Sequence, residues 1–158
     1  MATPAVTVLL ASDHAGVRLK AALVAHLAAR GVAHEDLGPT TTDRVDYPDF
    51  ALRVSERVAA VPDCVGVLVC GTGIGMSMAA NKVAGIRAAL CSTEFEARST
   101  RAHNDANVLC LGERVVGEGV AASILDAFLE TAFEGGRHTA RVEKLHAADR
   151  ARHAERSR

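Results

Sequence analysis

The chain's 158 residues predict a three-layer αβα sandwich, an α/β fold built on a five-stranded, parallel, Rossmann-like sheet. Three observations predict it. Short runs such as Val65–Cys70 are apolar at every position, as strands covered on both faces must be. Segments with helical spacing alternate with these runs, the first marked by Leu19, Leu23 and Leu27. Hydrophobic residues make up 49% of the chain and charged residues 23%, enough for one core that buries roughly 70% of the unfolded surface.

The elements follow in order. Val6 to Ala11 reads as a strand, Ser12-Asp13-His14-Ala15-Gly16 as a loop, and the alanine-rich stretch behind it as a helix closed by Gly31. Val32 to Leu37 is a brief second strand, and Gly38-Pro39-Thr40-Thr41-Thr42 a loop. A helix starts near Tyr47-Pro48-Asp49, where proline suits a first turn, and runs through Phe50, Val54 and Val58. Strand three ends at Cys70; Gly71-Thr72-Gly73-Ile74-Gly75 follows, then a helix from Met76 to Asn81 that Gly85 closes off. Arg87 to Cys91 and Val108 to Leu111 are strands four and five, separated by a helix from Thr93 to Ala102 and a polar loop, His103-Asn104-Asp105-Ala106-Asn107. A further helix spans Glu118 to Thr131. Residues 1–146 form one domain that includes a C-terminal helix, and 147–158 a mobile charged tail.

Composition excludes several functions. The formal net charge of −1 argues against a nucleic-acid binder, and one tyrosine, four phenylalanines and no tryptophan leave little for base stacking. No apolar run is long enough for a membrane span, and Met1-Ala2-Thr3-Pro4 lacks a basic leader, so a cytoplasmic protein without membrane partners is expected. Cys64, Cys70, Cys91 and Cys110 form no C-x-x-C pair, which predicts reduced thiols rather than a disulfide framework or zinc knuckle. Charge is unevenly placed: residues 137–158 hold seven Lys and Arg against three Asp and Glu.

Ligands of open parallel sheets bind outside the carboxyl ends of the strands. Polar groups gather at four such ends: Ser12-Asp13-His14, Cys70 with its glycine loop, Cys91-Ser92-Thr93, and Gly112-Glu113-Arg114. The glycine loop lets backbone approach a ligand and opens a helix whose free N–H groups favour an anion or oxyanion. It matches neither G-x-G-x-x-G nor a phosphate-binding P-loop. A thiol at a helix N-terminus can titrate well below the free value of about 8.5, so Cys70 is a candidate base or nucleophile. A cysteine ending an apolar strand more often simply fills core, a reading that covers Cys64, Cys91 and Cys110. His103 is a candidate acid/base group or a turn histidine; His14 beside Asp13 has the same two readings. His26, His34, His146 and His153 read as surface positions. His14, His103 and Cys70 lack the short spacing of metal ligands, and neither metal nor cofactor is expected. Arg137 and Arg141, four apart, face one way on a helix and suit a phosphate; Arg150, Arg152, Arg156 and Arg158 read as a solvated face.

Taken together, Ser12–Gly16, Asp46–Asp49, Cys70–Gly75 with Ala79-Ala80-Asn81-Lys82, Gly85–Ala88, His103–Asn107 and Gly135–His138 resemble type B ribose-5-phosphate isomerase, within the family that includes galactose-6-phosphate isomerase. The likeness runs from Val6 to Leu145. It implies a metal-free aldose-ketose isomerase of the pentose phosphate pathway, interconverting ribose 5-phosphate and ribulose 5-phosphate through an enediolate. By the same resemblance the catalytic residues are Cys70 as base, His103 as the group that opens the sugar ring, and Thr72. Asp13, His14, Tyr47 and Asn104 bind substrate, and the Gly71, Gly73, Ile74 and Gly75 stretch holds the enediolate. Arg137 and Arg141, with His138 and Arg114, bind the phosphate. Active sites are shared in a homodimer, with a tetramer also open. Each site is expected to take Cys70 from one chain and Arg137 and Arg141 from the partner. A six-carbon aldose phosphate or a four-carbon ketose phosphate remains an alternative substrate. A non-catalytic sugar-phosphate-binding regulator is the other reading, and mere binding needs neither Cys70 nor His103.

Overall fold

The computed structural model describes residues 6–156. Five strands, β1 (Thr7–Ser12), β2 (His34–Asp36), β3 (Cys64–Cys70), β4 (Ala88–Leu90) and β5 (Val108–Gly112), form one parallel sheet in the order β2-β1-β3-β5-β4. The expected sandwich is therefore present. Chain order reverses between β1 and β3, which opens a crevice at their carboxyl ends.

Pleating sends alternate side chains to opposite faces. Leu10, Val69 and Leu109 pack with Leu23 of α1 (Val17–Ala29) and Phe128 of α5 (Glu118–Glu130). Leu9, Leu68 and Cys110 pack with Val54 of α2 (Tyr47–Ala60) and Met76 of α3 (Ile74–Ala80). Phe128 is completely buried, which contributes about 2–3 kcal/mol of transfer free energy. α4 (Glu94–Asn104) lies against α5 and opens with a reciprocal capping box between Thr93 and Glu96.

Three expectations need correction. His103 and Asn104 form the last turn of α4 rather than a loop, because Asp105 takes the left-handed conformation (φ 48°) that ends the helix one turn later. Arg137 lies in a 3-10 turn, Gly136–His138, whereas Arg141 is on α6 (Thr139–Arg156). Gly135 and Gly136 have φ of 64° and 55°, so the approach to α6 is not continuous helix and simple four-residue spacing does not relate the two arginines. Finally, α6 continues unbroken through residues expected as tail, and its Asp149 carboxylate accepts a bond from the Gly85 amide at 2.9 Å. Residues 157 and 158 of that expected tail lie outside those described.

The outer strand β4 meets α3's terminus. The Asn81 side-chain amide donates to the Ala88 carbonyl and accepts from the Ala88 amide, each at 2.9 Å.

Candidate active site

At the carboxyl edge the sheet presents Cys70, only 5% exposed, as the last residue of β3. The turn after it folds back on the sulfur: the Gly73 amide donates to Cys70 Sγ at 3.1 Å. That hydrogen bond suits a sulfur carrying negative charge. Gly73 makes the turn possible by adopting φ 79°, and α3 starts directly behind it with Ile74. Thr72 Oγ1 accepts from the Ile74 amide at 3.3 Å.

The remaining thiols lie outside the glycine-rich turn. Burial, and secondarily Glu96, pushes the Cys91 thiol up to about 12, and burial raises Cys110 further still. Both stay protonated and inert near neutral pH. Cys64 begins β3 at the opposite edge.

Neighbouring groups close over the loop. The Asp13 amide donates to Val69 O at 3.1 Å, which sets Asp13 beside β3, and its carboxylate accepts from the Ala15 amide at 2.9 Å. His14 Nδ1 lies 3.1 Å from the Val45 carbonyl oxygen and 3.3 Å from its amide nitrogen, so either tautomer finds a partner there. Tyr47 lays its ring on bare backbone: a Cβ at Gly75 would sit 2.8 Å from Tyr47 Cζ. On the other side the Arg114 guanidinium covers Gly71, where a Cβ would be 3.3 Å from Nη1. The Glu113 carboxylate accepts from the Leu19 amide at 2.9 Å and ties this rim to α1.

Gly73 tolerates no side chain. A Cβ there would meet Leu90 Cδ1 at 2.6 Å and the Leu111 carbonyl carbon at 2.9 Å. Gly73→Ala is expected to lose about 3 kcal/mol of stability from strain and overpacking, read as a lowered denaturation midpoint. A wild-type midpoint would show that the turn relaxes freely.

A second cluster occupies the other end of the molecule. The imidazoles of His103 and His138 stack with centroids 4.4 Å apart and planes 14° from parallel. Glu134 Oε2 lies 3.9 Å from His103 Nε2 and 3.7 Å from His138 Nε2, and the Glu134 amide donates to Ala102 O, which fastens this segment to α4. Arg137 Nε donates to His138 Nε2 at 3.4 Å, and the Arg141 charge also acts on His138. The ligand atoms of His103, Glu134 and His138 lie within 4.8 Å of one another, close enough to consider a cation. Two features oppose that use. Near-parallel rings send their lone pairs alongside each other, and Arg137 already engages one of them. With two guanidinium groups beside it, the cluster suits an anion.

Burial lowers the pKa of His138, and the charges of His103, Arg137 and Arg141 lower it further against the opposing Glu134. The unfolded chain therefore binds this proton more readily than the folded one, so stability falls as pH drops below the unfolded value of about 6.5. Urea midpoints are expected to fall between about pH 7.5 and pH 5.5. His138→Gln should shrink that fall, and an unchanged pH dependence would count against this cause.

The two clusters do not meet within one chain. Asn104 O and Asp105 O accept from Arg87 Nε at the amino ends of β4 and β5, so the last turn of α4 lies at the edge opposite Cys70. Along the paired strands, from Gly66–Val108 to Cys70–Gly112, that separation is about 13 Å at the usual rise. Asp13, His14, Tyr47, Thr72 and Arg114 therefore gather around Cys70, while Arg137, His138, Arg141 and Glu134 gather around His103. Asn104 is exposed beside the second group and lines a cavity of about 360 Å3 with Arg87, Asp149 and Arg152. His146, expected at the surface, is partly exposed there, and its Nε2 lies 2.8 Å from Arg87 Nη1. Sequence reading missed Glu134; its place three residues before Arg137 was visible, but its contact with His103 depends on the fold.

The family model described as Ribose/Galactose Isomerase matches residues 8–145. The chain belongs to the ribose/galactose isomerase family. Among curated members of this family, ribose-5-phosphate isomerase B of Escherichia coli is 49% identical over 140 residues, covering 89% of this chain and 94% of that protein. The solved ribose-5-phosphate isomerase B of Clostridium thermocellum is 46% identical with a TM-score of 0.89, covering 92% of this chain and 98% of that one. That of Mycoplasma genitalium, solved with bound ribulose-5-phosphate, is 42% identical with a TM-score of 0.88 and covers 91% and 96% of the respective chains.

Proposed function

We propose that this protein is a cytoplasmic ribose-5-phosphate isomerase that interconverts ribose 5-phosphate and ribulose 5-phosphate. One observation carries the chemistry: an amide donor held against a cysteine sulfur at the start of a glycine-rich turn. Aldose-to-ketose conversion needs a base that removes the C2 proton and returns it to C1, and fixed donors for the oxygen that becomes negative between the two steps. Cys70 takes and returns the proton; the backbone amides from Gly71 to Gly75 hold the enediolate. Before that, His103 moves the proton that opens the furanose ring, while Arg137, His138 and Arg141 hold the phosphate and Asp13, His14 and Tyr47 the hydroxyls. The relatives' names and the ribulose-5-phosphate bound to the Mycoplasma genitalium protein support a five-carbon substrate. Four free cysteines fit a reducing compartment.

The site is completed by a second copy of the chain. The two sheet edges, about 13 Å apart along the paired strands, lie farther from each other than C1 and phosphorus of an extended pentose phosphate, and a partner supplying His103, Arg137 and Arg141 removes the gap. Exposed apolar residues border the glycine loop, with Ile74 and Met78 one turn apart on α3 and Leu90 beside Gly73. Such a rim suits a protein surface rather than water.

The test is an isomerisation panel of four-, five- and six-carbon sugar phosphates with purified protein. The largest kcat/KM is expected for the ribose and ribulose 5-phosphates. A larger value for a six-carbon aldose phosphate or a four-carbon ketose phosphate would replace this substrate; no turnover with any would leave the regulator reading.

A further inference from the structure

Lys20 is a charged residue in the first turn of α1, yet it is only 1% exposed. Its ammonium donates to Asp36 Oδ1 at 2.5 Å and to the Pro39 carbonyl oxygen at 2.7 Å. Asp36 Oδ1 also accepts from the Gly38 amide at 2.8 Å, and the Gly38 carbonyl accepts from the Ser12 amide at 3.1 Å. The chain leaving β2 is thus fastened at Asp36, Gly38 and Pro39 to β1 and α1. From Thr40 to Arg44 it is exposed, with Thr41 donating to Asp43 within the loop. It is caught again at Val45 by His14, and Tyr47 then reaches over Gly75.

A buried ammonium is a poor way to gain stability, because a well-packed apolar side chain of similar length does as well or better without the desolvation cost. What an apolar side chain cannot do is hold the Pro39 carbonyl. We propose that Lys20 is a positioning residue, clamping the Gly38–Tyr47 segment so that His14 and Tyr47 stand over the glycine-rich loop and meet the sugar. The proposal rests on the reading of those two residues as substrate contacts. It adds a role for a side chain that touches neither substrate nor Cys70.

Tyr47 reports its own position, since the chain has one tyrosine and no tryptophan. The variants are Lys20→Met, which leaves Asp36 without its cation, and Lys20→Met/Asp36→Asn, which removes both charges and keeps an oxygen to accept from the Gly38 amide. In both, the anisotropy of tyrosine emission should fall and iodide quenching rise, by about twofold for a ring released from a packed surface. KM for ribose 5-phosphate should rise about tenfold with kcat within about twofold, the signature of a weakened binding segment. If the single variant does not fold, the double variant carries the test. A double variant with wild-type emission and wild-type KM would overturn the proposal and make Lys20 a fold element only. A freed Tyr47 with unchanged KM would uphold the clamp and instead remove Tyr47 from the substrate site.

Discussion

Replacing Cys70 by alanine is expected to lower kcat about a thousandfold or more, because a general base contributes on the order of 10²–10⁴ and no second thiol can substitute for it. Cys91 and Cys110 are kept protonated by burial, and Cys64 lies at the far end of β3. Ribulose 5-phosphate should still bind the variant, read by calorimetry, since the phosphate and hydroxyl contacts involve other side chains. Cys64→Ala should keep near-wild-type turnover. Full turnover by Cys70→Ala would remove the sulfur from the mechanism; loss of binding along with turnover would make Cys70 a structural member of the loop.

Mixing two inactive variants is expected to restore activity. One chain carries Cys70→Ala, the other Arg137→Ala/Arg141→Ala. Were both halves of a site supplied by one chain, every site would keep a defect. With Cys70 drawn from one chain and the arginines from its partner, a mixed dimer has one site with both defects and one with none. Random pairing of equal amounts makes half the dimers mixed, so about a quarter of wild-type activity should return. Verified mixed dimers as inactive as either parent would overturn the shared site.

Much of the fold was legible because it is written locally. Strands β3 and β5 are apolar at nearly every position, and Tyr47-Pro48 marked the start of α2 correctly. The length of α6 was not legible: beyond Val142 its sequence shows little apolar periodicity, and its contact through Asp149 to Gly85 spans 64 residues. The site divided the same way. Cys70 and Gly73 are three residues apart, so the turn between them could be read from glycine content alone. Glu134 meets His103 across 31 positions, and no spacing rule connects them. Lys20 has the opposite difficulty: a lysine in the first turn of a helix reads as solvated, and only the return of β2 beside it makes it interior.

The Asn81 amide against Ala88 bears on how the molecule behaves in a crowd. A terminal strand offers unsatisfied N–H and C=O groups that a stray extended peptide can join, the first step toward polymerisation. By meeting both groups of Ala88, one side chain imitates a residue of a sixth strand and stops the ladder there. Asn81→Asp would keep the acceptor, lose the donor, and set a negative charge beside the carbonyl, leaving β4 open at its first rung to whatever chain comes next.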